Sequence, residues 1–279
     1  MKRNNRTKIA LALVAVLAVV AVSLIAYGFY TDIKEGKGID SGHIAKAALV
    51  FASIVISIVK ISNGTKGQKR SPELYREQYG FIIGKGFTDD KKRESTFFRA
   101  LDMYNDDNYR SALKLLKKLR ESTYQWNERC AIDFFIALCY QDMGAFAQAA
   151  ESYEAVLAST ENSTAASNLG LCYQRMGESE KAKRAYETAM RADPANAYPP
   201  NNLAQLLIRS GEYEAALEYA KKAVELKDNM YQAHNAMAIC FAMLGMRDEY
   251  KAALSRAAAN GSDRRAIEEY VKNLGADVE

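Results

Sequence analysis

Beyond about residue 99 the chain alternates apolar and polar positions with a helical period, and the alternation returns every 33 or 34 residues. The unit at 163–196 carries Leu169 and Gly170, then Tyr173, Gly177, Ala182, Tyr186, Ala189 and Pro194. The unit before it, 130–162, repeats this as Ile136, Ala137, Tyr140, Gly144, Ala149 and Tyr153. The unit after it, 197–230, reads Leu203, Ala204, Leu207, Gly211, Ala216 and Ala223. A further unit, 231–262, keeps Met237, Ala238, Phe241, Gly245 and Ala257. Upstream, 93–129 reads as a degenerate first unit: Ala100, Met103, Tyr109, Ala112, Leu116 and Leu119 stand at helical spacing, with Asp107 in the turn where the others have glycine. A period of this length predicts a solenoid of helix pairs, each burying its apolar face on its neighbours.

The small residues say where the helices cross. Gly170, Ala204 and Ala238 on the first helix of a pair, and Ala149, Ala182 and Ala216 on the second, let two backbones approach near the lower limit of helix packing. Gly144, Gly177, Gly211 and Gly245 stand where the first helix must stop, a place where the left-handed conformation closes a helix C-terminus. Tyr250 falls in the crossing slot of the last pair, so that pair is expected to sit wider apart. Residues 263–279 predict a C-terminal capping helix: Ser262 is a candidate N-cap, and Ala266, Ile267, Tyr270 and Val271 alternate with charge to cover the exposed end of the stack.

The pattern resembles the tetratricopeptide repeat family, whose consensus runs tryptophan, leucine-glycine, tyrosine, alanine, an aromatic and proline. In the unit at 163–196, Ala166 replaces the tryptophan and the other slots are filled. The resemblance covers roughly 99–274, about two thirds of the chain. It implies an all-α fold: a right-handed α-α superhelix of four to five pairs with a C-terminal capping helix. It also implies a function, the holding of a protein or peptide partner on a concave surface formed by the first helix of every pair.

Projecting the repeat register puts Gln141, Ser167, Asn168, Gln174, Arg175, Tyr198, Asn201, Asn202, Gln205, Arg209, Gln232 and Asn235 on or near that surface. Amides carry donors and acceptors together and can pair with an extended peptide's backbone whatever its sequence. Two readings stand for them, a peptide groove and ordinary family filler. The lysine and asparagine arrangement by which some family members clamp a terminal carboxylate is not matched, although Arg175 and Arg209 supply charge complementarity.

The N-terminal quarter is different material. Residues 9–30 carry no charge and follow Lys2, Arg3, Arg6 and Lys8; at about 1.5 Å per residue they suffice to cross a bilayer. The run exceeds the ~7–15-residue apolar core of a cleavable signal and no small-residue cleavage site follows, which favours an uncleaved anchor. In the second apolar segment, 44–61, the uninterrupted core at 47–59 is short for a span, and Lys46 and Lys60 flank it near the ends, where their stems can snorkel. It is either a second span, packed through Ala48, Ala52, Ser53 and Ser57, or an interfacial helix. With two spans, 1–61 is a transmembrane hairpin contacting lipid. The basic flanks, including Lys60, Lys66, Lys69, Arg70 and Arg76, then put both termini and the repeats on the cytoplasmic side of the cell membrane. Without the second span, the repeats lie outside, as in an envelope assembly or chaperone-like factor. Residues 62–92 are a linker and a short helix opened by Ser71 and Pro72, whose apolar side of Leu74, Tyr75, Tyr79, Phe81, Ile82 and Ile83 is expected to pack as an N-terminal cap on the first repeat, with the mixed charges around 89–94 expected to form a solvated face.

Chemistry is sparse. The two histidines, His43 and His234, lie in different regions, which suggests no histidine-based metal site or nucleophile and base pair. No glycine-rich phosphate loop is present. A net charge of +4, partly placed on membrane flanks, gives nucleic-acid binding little support. Cys139, Cys172 and Cys240 share one slot of the first helix at a spacing too wide for disulfides, and they read as small buried apolar residues. The expectation is a membrane-tethered, bacterial-type adaptor for a protein or peptide, with no catalysis, cofactor or small-molecule substrate.

Overall fold

The computed structural model describes residues 70–84, 86–87 and 90–276, and among them the chain is helical without strands. Twelve helices follow in order: α1 (Pro72–Ile83), α2 (Lys91–Asn105), α3 (Tyr109–Glu121), α4 (Trp126–Asp142), α5 (Phe146–Leu157), α6 (Ser163–Arg175), α7 (Ser179–Ala192), α8 (Tyr198–Ser210), α9 (Tyr213–Leu226), α10 (Tyr231–Met243), α11 (Arg247–Ala259) and α12 (Arg264–Asn273). The helices from α2 to α11 form five antiparallel pairs, each packed on the next, and α12 closes the stack against α10 and α11. The predicted membrane segments at 9–30 and 44–61 lie outside the described residues. Among the described residues no helix is long and apolar enough to cross a membrane.

One turn is built five times. Gly144, Gly177, Gly211 and Gly245 take φ of +77°, +79°, +79° and +73°, and Asp107 takes +60° in the first pair. In each case the next N–H returns to the carbonyl five residues back: Asn108 to Met103, Ala145 to Tyr140, Glu178 to Tyr173, Glu212 to Leu207, and Met246 to Phe241, at 2.9–3.0 Å. The N–H of the turn residue itself returns to the carbonyl three residues back, and the two hydrogen bonds satisfy carbonyls that a helix end leaves open. Asp107 tolerates the left-handed conformation as an acidic side chain can, and its carboxylate accepts a hydrogen bond from the Tyr109 hydroxyl at 2.7 Å.

The crossings are as tight as the small residues require. Ala149, Ala182 and Ala216 are fully buried. A Cβ on Gly170 would lie 2.6 Å from a ring carbon of Tyr186, so the α6–α7 crossing has no room for a side chain there. Tyr250 corrects the expectation of a wider last pair. The α10–α11 contact is as extensive as the others. The ring is buried with Val271 of α12 in the same apolar cluster, and its phenol feels the charges of Glu268 and Arg264. It extends toward the capping helix rather than wedging its own pair open.

Two further expectations change. Asp263, not Ser262, caps α12, accepting from the N–H groups of Arg265 and Ala266; the Ser262 hydroxyl instead donates to Asn235 Oδ1 at 2.7 Å. The charges at 90–94 are not simply a solvated face. Asp90 caps α2, Glu94 pairs with Arg76 at 2.9 Å, and Arg93 reaches the fully buried carboxylate of Glu128 at 3.6 Å. Ser71 and Pro72 do open α1.

Candidate functional site

Curvature identifies the inner face. Successive first helices α6, α8, α10 and α12 touch one another, whereas the second helices α5, α7, α9 and α11 make no comparable mutual contact. The stack therefore bends with its first helices inside. Counting back from the turn residues gives equivalent slots on that face. Ten residues before the turn stand Phe97, Phe134, Ser167, Asn201 and Asn235; nine before stand Phe98, Phe135, Asn168, Asn202 and Ala236. The first two pairs thus present aromatic rings where the later ones present small or amide side chains.

Helix α1 explains the aromatics, because it lies on them. Tyr75 stacks on Phe98 at 5.7 Å, Tyr79 meets Phe135 edge-on at 4.9 Å, Phe81 meets Phe134 edge-on at 5.5 Å, and Phe87 stacks on Phe97 at 4.3 Å. Such pairs add to area burial by about 0.5–1.5 kcal/mol each. Polar contacts fix the helix in register. The Tyr75 hydroxyl donates to Asp102 Oδ1 at 2.8 Å and accepts from Asn105 at 2.9 Å. The Arg76 guanidinium donates to the carbonyls of Gly84 and Gly86 and to Glu94. Glu128 accepts the Phe87 N–H at 3.0 Å beneath. The N-terminal part of the concave face is closed by the chain itself.

In the middle, the predicted amides are engaged with tyrosines of the second helices. The buried Tyr153 hydroxyl donates to Gln141 Oε1 at 3.0 Å and accepts from Asn168 at 3.1 Å. One repeat on, the buried Tyr186 hydroxyl donates to Gln174 Oε1 at 2.8 Å. Burial pushes both phenols well above their ordinary range, so they act as neutral donors. Asn202 donates to Ser167 Oγ and accepts from Asn201, both at 3.3 Å.

The next pair loses this clasp. Ala220 stands where Tyr153 and Tyr186 stand, Ile208 where Gln141 and Gln174 stand, and Ala236 where Asn168 and Asn202 stand. A cavity of about 380 Å³ opens there between α8, α10 and α12. Ile208, Ala236, Ile239 and Ile267 give it apolar walls, Tyr270 borders it, and four of the predicted residues, Gln205, Arg209, Gln232 and Asn235, meet at it. The side chains of Gln205, Gln232 and Arg209 have no hydrogen-bond or ion-pair partner among the described residues. Arg175 and Arg209 are exposed, and their charge reaches the Tyr186 phenol from the same slot of successive pairs. Tyr198, about half exposed, carries the Lys227 ammonium 5.3 Å over its ring.

Register arithmetic alone brings the amides to one face. The apolar floor and the contribution of α12 are missed by it, and the helix at 72–83, expected as a cap on the first repeat, lies on the first helices of the first two pairs; the replacement of tyrosine by Ala220 is the signal that points to the opening. The four cysteines are buried and unpaired. Burial pushes the thiols of Cys139, Cys172 and Cys240 up to about 12 and that of Cys130 upward, which leaves them poor nucleophiles. Among the described residues no cluster of three or more His, Cys, Asp or Glu has metal-binding geometry.

The sequence at 163–196 matches the tetratricopeptide repeat model, and 201–230 matches a second model of the same repeat. A crystal structure of MamA superposes with a TM-score of 0.53 at 18% identity, over 58% of this chain and 93% of that one. YrrB, described as a TPR protein with an unusual peptide-binding site, superposes with a TM-score of 0.52 at 14% identity, over 74% of this chain and all of that one. No curated protein sequence matches the chain. At these identities the structural likeness speaks to the fold alone. With the matched repeats, the five equivalent turns and the packed pairs, it makes this chain a carrier of tetratricopeptide repeats.

Proposed function

We propose that the chain is a membrane-tethered adaptor that holds a segment of a partner protein in the open, C-terminal half of its concave face and performs no catalysis. The observation that carries this is the cavity between α8, α10 and α12, where Gln205, Gln232 and Arg209, whose side chains have no partner among the described residues, stand beside apolar walls. Concave sites of this composition orient a ligand by a few polar groups and gain affinity from apolar contact. The uncharged run at 9–30 and the second apolar segment at 44–61, with their basic flanks, support anchoring in a bacterial-type membrane with the repeats inside. A tether raises the local concentration of whatever the groove holds.

Site-specific photo-crosslinking tests the groove. A photoreactive residue replacing Gln232 should capture a partner, whereas one replacing Lys222, exposed on α9, should not; equal capture from both positions contradicts the assignment. Sidedness needs an exposed reporter, since Cys130 is buried. Lys114→Cys, exposed on α3, should react with a membrane-impermeant maleimide only after permeabilisation. Reaction in intact cells would instead favour the extracytoplasmic assembly factor, which the short apolar core at 47–59 keeps in play.

A further inference from the structure

We infer that the open half of the groove selects an extended segment in which an aliphatic side chain stands beside an aspartate or glutamate. This rests on the groove reading above and adds the chemistry of the occupant. Three independent features carry it.

The first is the floor. Ile208, Ala236, Ile239 and Ile267 wall a cavity of about 380 Å³, enough for a branched aliphatic side chain, and none of the residues lining it is acidic. The second is the pair of free amides. Gln141 and Gln174 are held by Tyr153 and Tyr186, but Gln205 and Gln232 have no partner among the described residues. An unengaged amide offers a donor and an acceptor together, the complement of a peptide unit in an extended backbone. The third is charge. Arg209 lines the cavity and Arg175 stands one repeat before it; both are exposed, and neither has a carboxylate partner among the described residues. A free guanidinium presents parallel N–H groups whose geometry matches a carboxylate.

The carboxylate belongs to a side chain rather than to a chain end. Arg175 and Arg209 stand one repeat apart, and neighbouring helices are separated by about 8–10 Å. Both act on the Tyr186 phenol, and the carboxylate they meet is taken as that of a side chain within a continuing segment.

The test uses the full chain, immobilised through an N-terminal tag and panned against a random peptide library displayed with both peptide ends blocked. Parallel panning uses R209Q and I239E. Enriched sequences should carry Leu, Ile or Val within two positions of Asp or Glu. The best of them, labelled and titrated by fluorescence anisotropy, should bind R209Q about tenfold more weakly. Its amide version, with Asn or Gln for the acid, should lose a similar factor on the unaltered chain and little more on R209Q. If enriched peptides lack the acid, or bind R209Q as tightly, while I239E abolishes binding, the inference fails and the groove stands. If nothing is enriched over I239E, both fail. A library with free C-termini enriching where the blocked one does not would also overturn the inference, since the carboxylate would then be terminal.

Discussion

The two halves of the concave face use one set of backbone slots for opposite ends. In the first two pairs the slots hold Phe97, Phe98, Phe134 and Phe135, and α1 with its following turn covers them with four ring contacts. In the last two, Asn201, Asn202, Asn235 and Ala236 take the same positions, and the cavity stays open. The repeat sets where side chains point, and side-chain chemistry decides whether a place becomes core or surface. Between them, the tyrosine and glutamine clasps of the second and third pairs fill space that Ala220 and Ile208 leave free in the fourth.

The covered half is the place to break this contrast most severely. Glu128 is fully buried and is held by Arg93 and the Phe87 N–H. Glu128→Ala leaves the buried Phe87 N–H without its acceptor and removes one of the two carboxylates of Arg93, which keeps Asp90 at 3.3 Å, and unfolding by urea should show a loss of about 3 kcal/mol. Exposure of the phenylalanines should raise the binding of an apolar dye. Gly170→Leu comes next: with a ring carbon of Tyr186 2.6 Å from the new Cβ, overpacking should cost about 1–3 kcal/mol. Tyr186→Phe removes only the hydroxyl that meets Gln174, and the loss in the same assay should be about 1 kcal/mol.

A transplant sharpens the comparison instead of breaking it. Ala204→Gly, Ile208→Gln and Ala220→Tyr together install the third pair's clasp in the fourth, with glycine giving the ring the room that Gly170 gives Tyr186. Stability should fall only by about the cost of a helical glycine, ~1 kcal/mol, while peptide binding is lost. Retained binding would separate the cavity from recognition.

The smallest effect expected is none. With Cys139, Cys172 and Cys240 pushed to about 12 by burial, iodoacetamide at pH 7.5 should leave them unmodified in the native chain and label them in urea, read by intact mass. The sign of the linkage follows. An unfolded thiol ionises near 8.5, so the stability gained by keeping these thiols neutral is complete below that pH and is lost as pH rises toward 12.

The repeats are legible in the sequence because each is a local event. Gly144, Gly177, Gly211 and Gly245 mark turns whose geometry depends on a handful of neighbours, and the alanines mark crossings between helices adjacent in the chain. What is not legible depends on distant contacts. The apolar side of residues 72–83 announces that this helix will pack on the repeats, but not that Tyr79 will meet Phe135 or that Arg93 will pair with Glu128, since those partners are brought together only by the stack. The amides at the candidate site were visible as a register, but whether each is free or clasped depends on the tyrosine opposite. Ser262 shows the same limit at one residue's scale: a plausible cap is diverted to Asn235 while its neighbour Asp263 closes the helix.

The division of the concave face is tested most directly by a crystal structure of the chain with a peptide selected by it. The account predicts density across α8, α10 and α12, an aliphatic side chain against Ile239 and α1 unmoved on Phe134 and Phe135. A peptide lying on those phenylalanines with α1 displaced would contradict it.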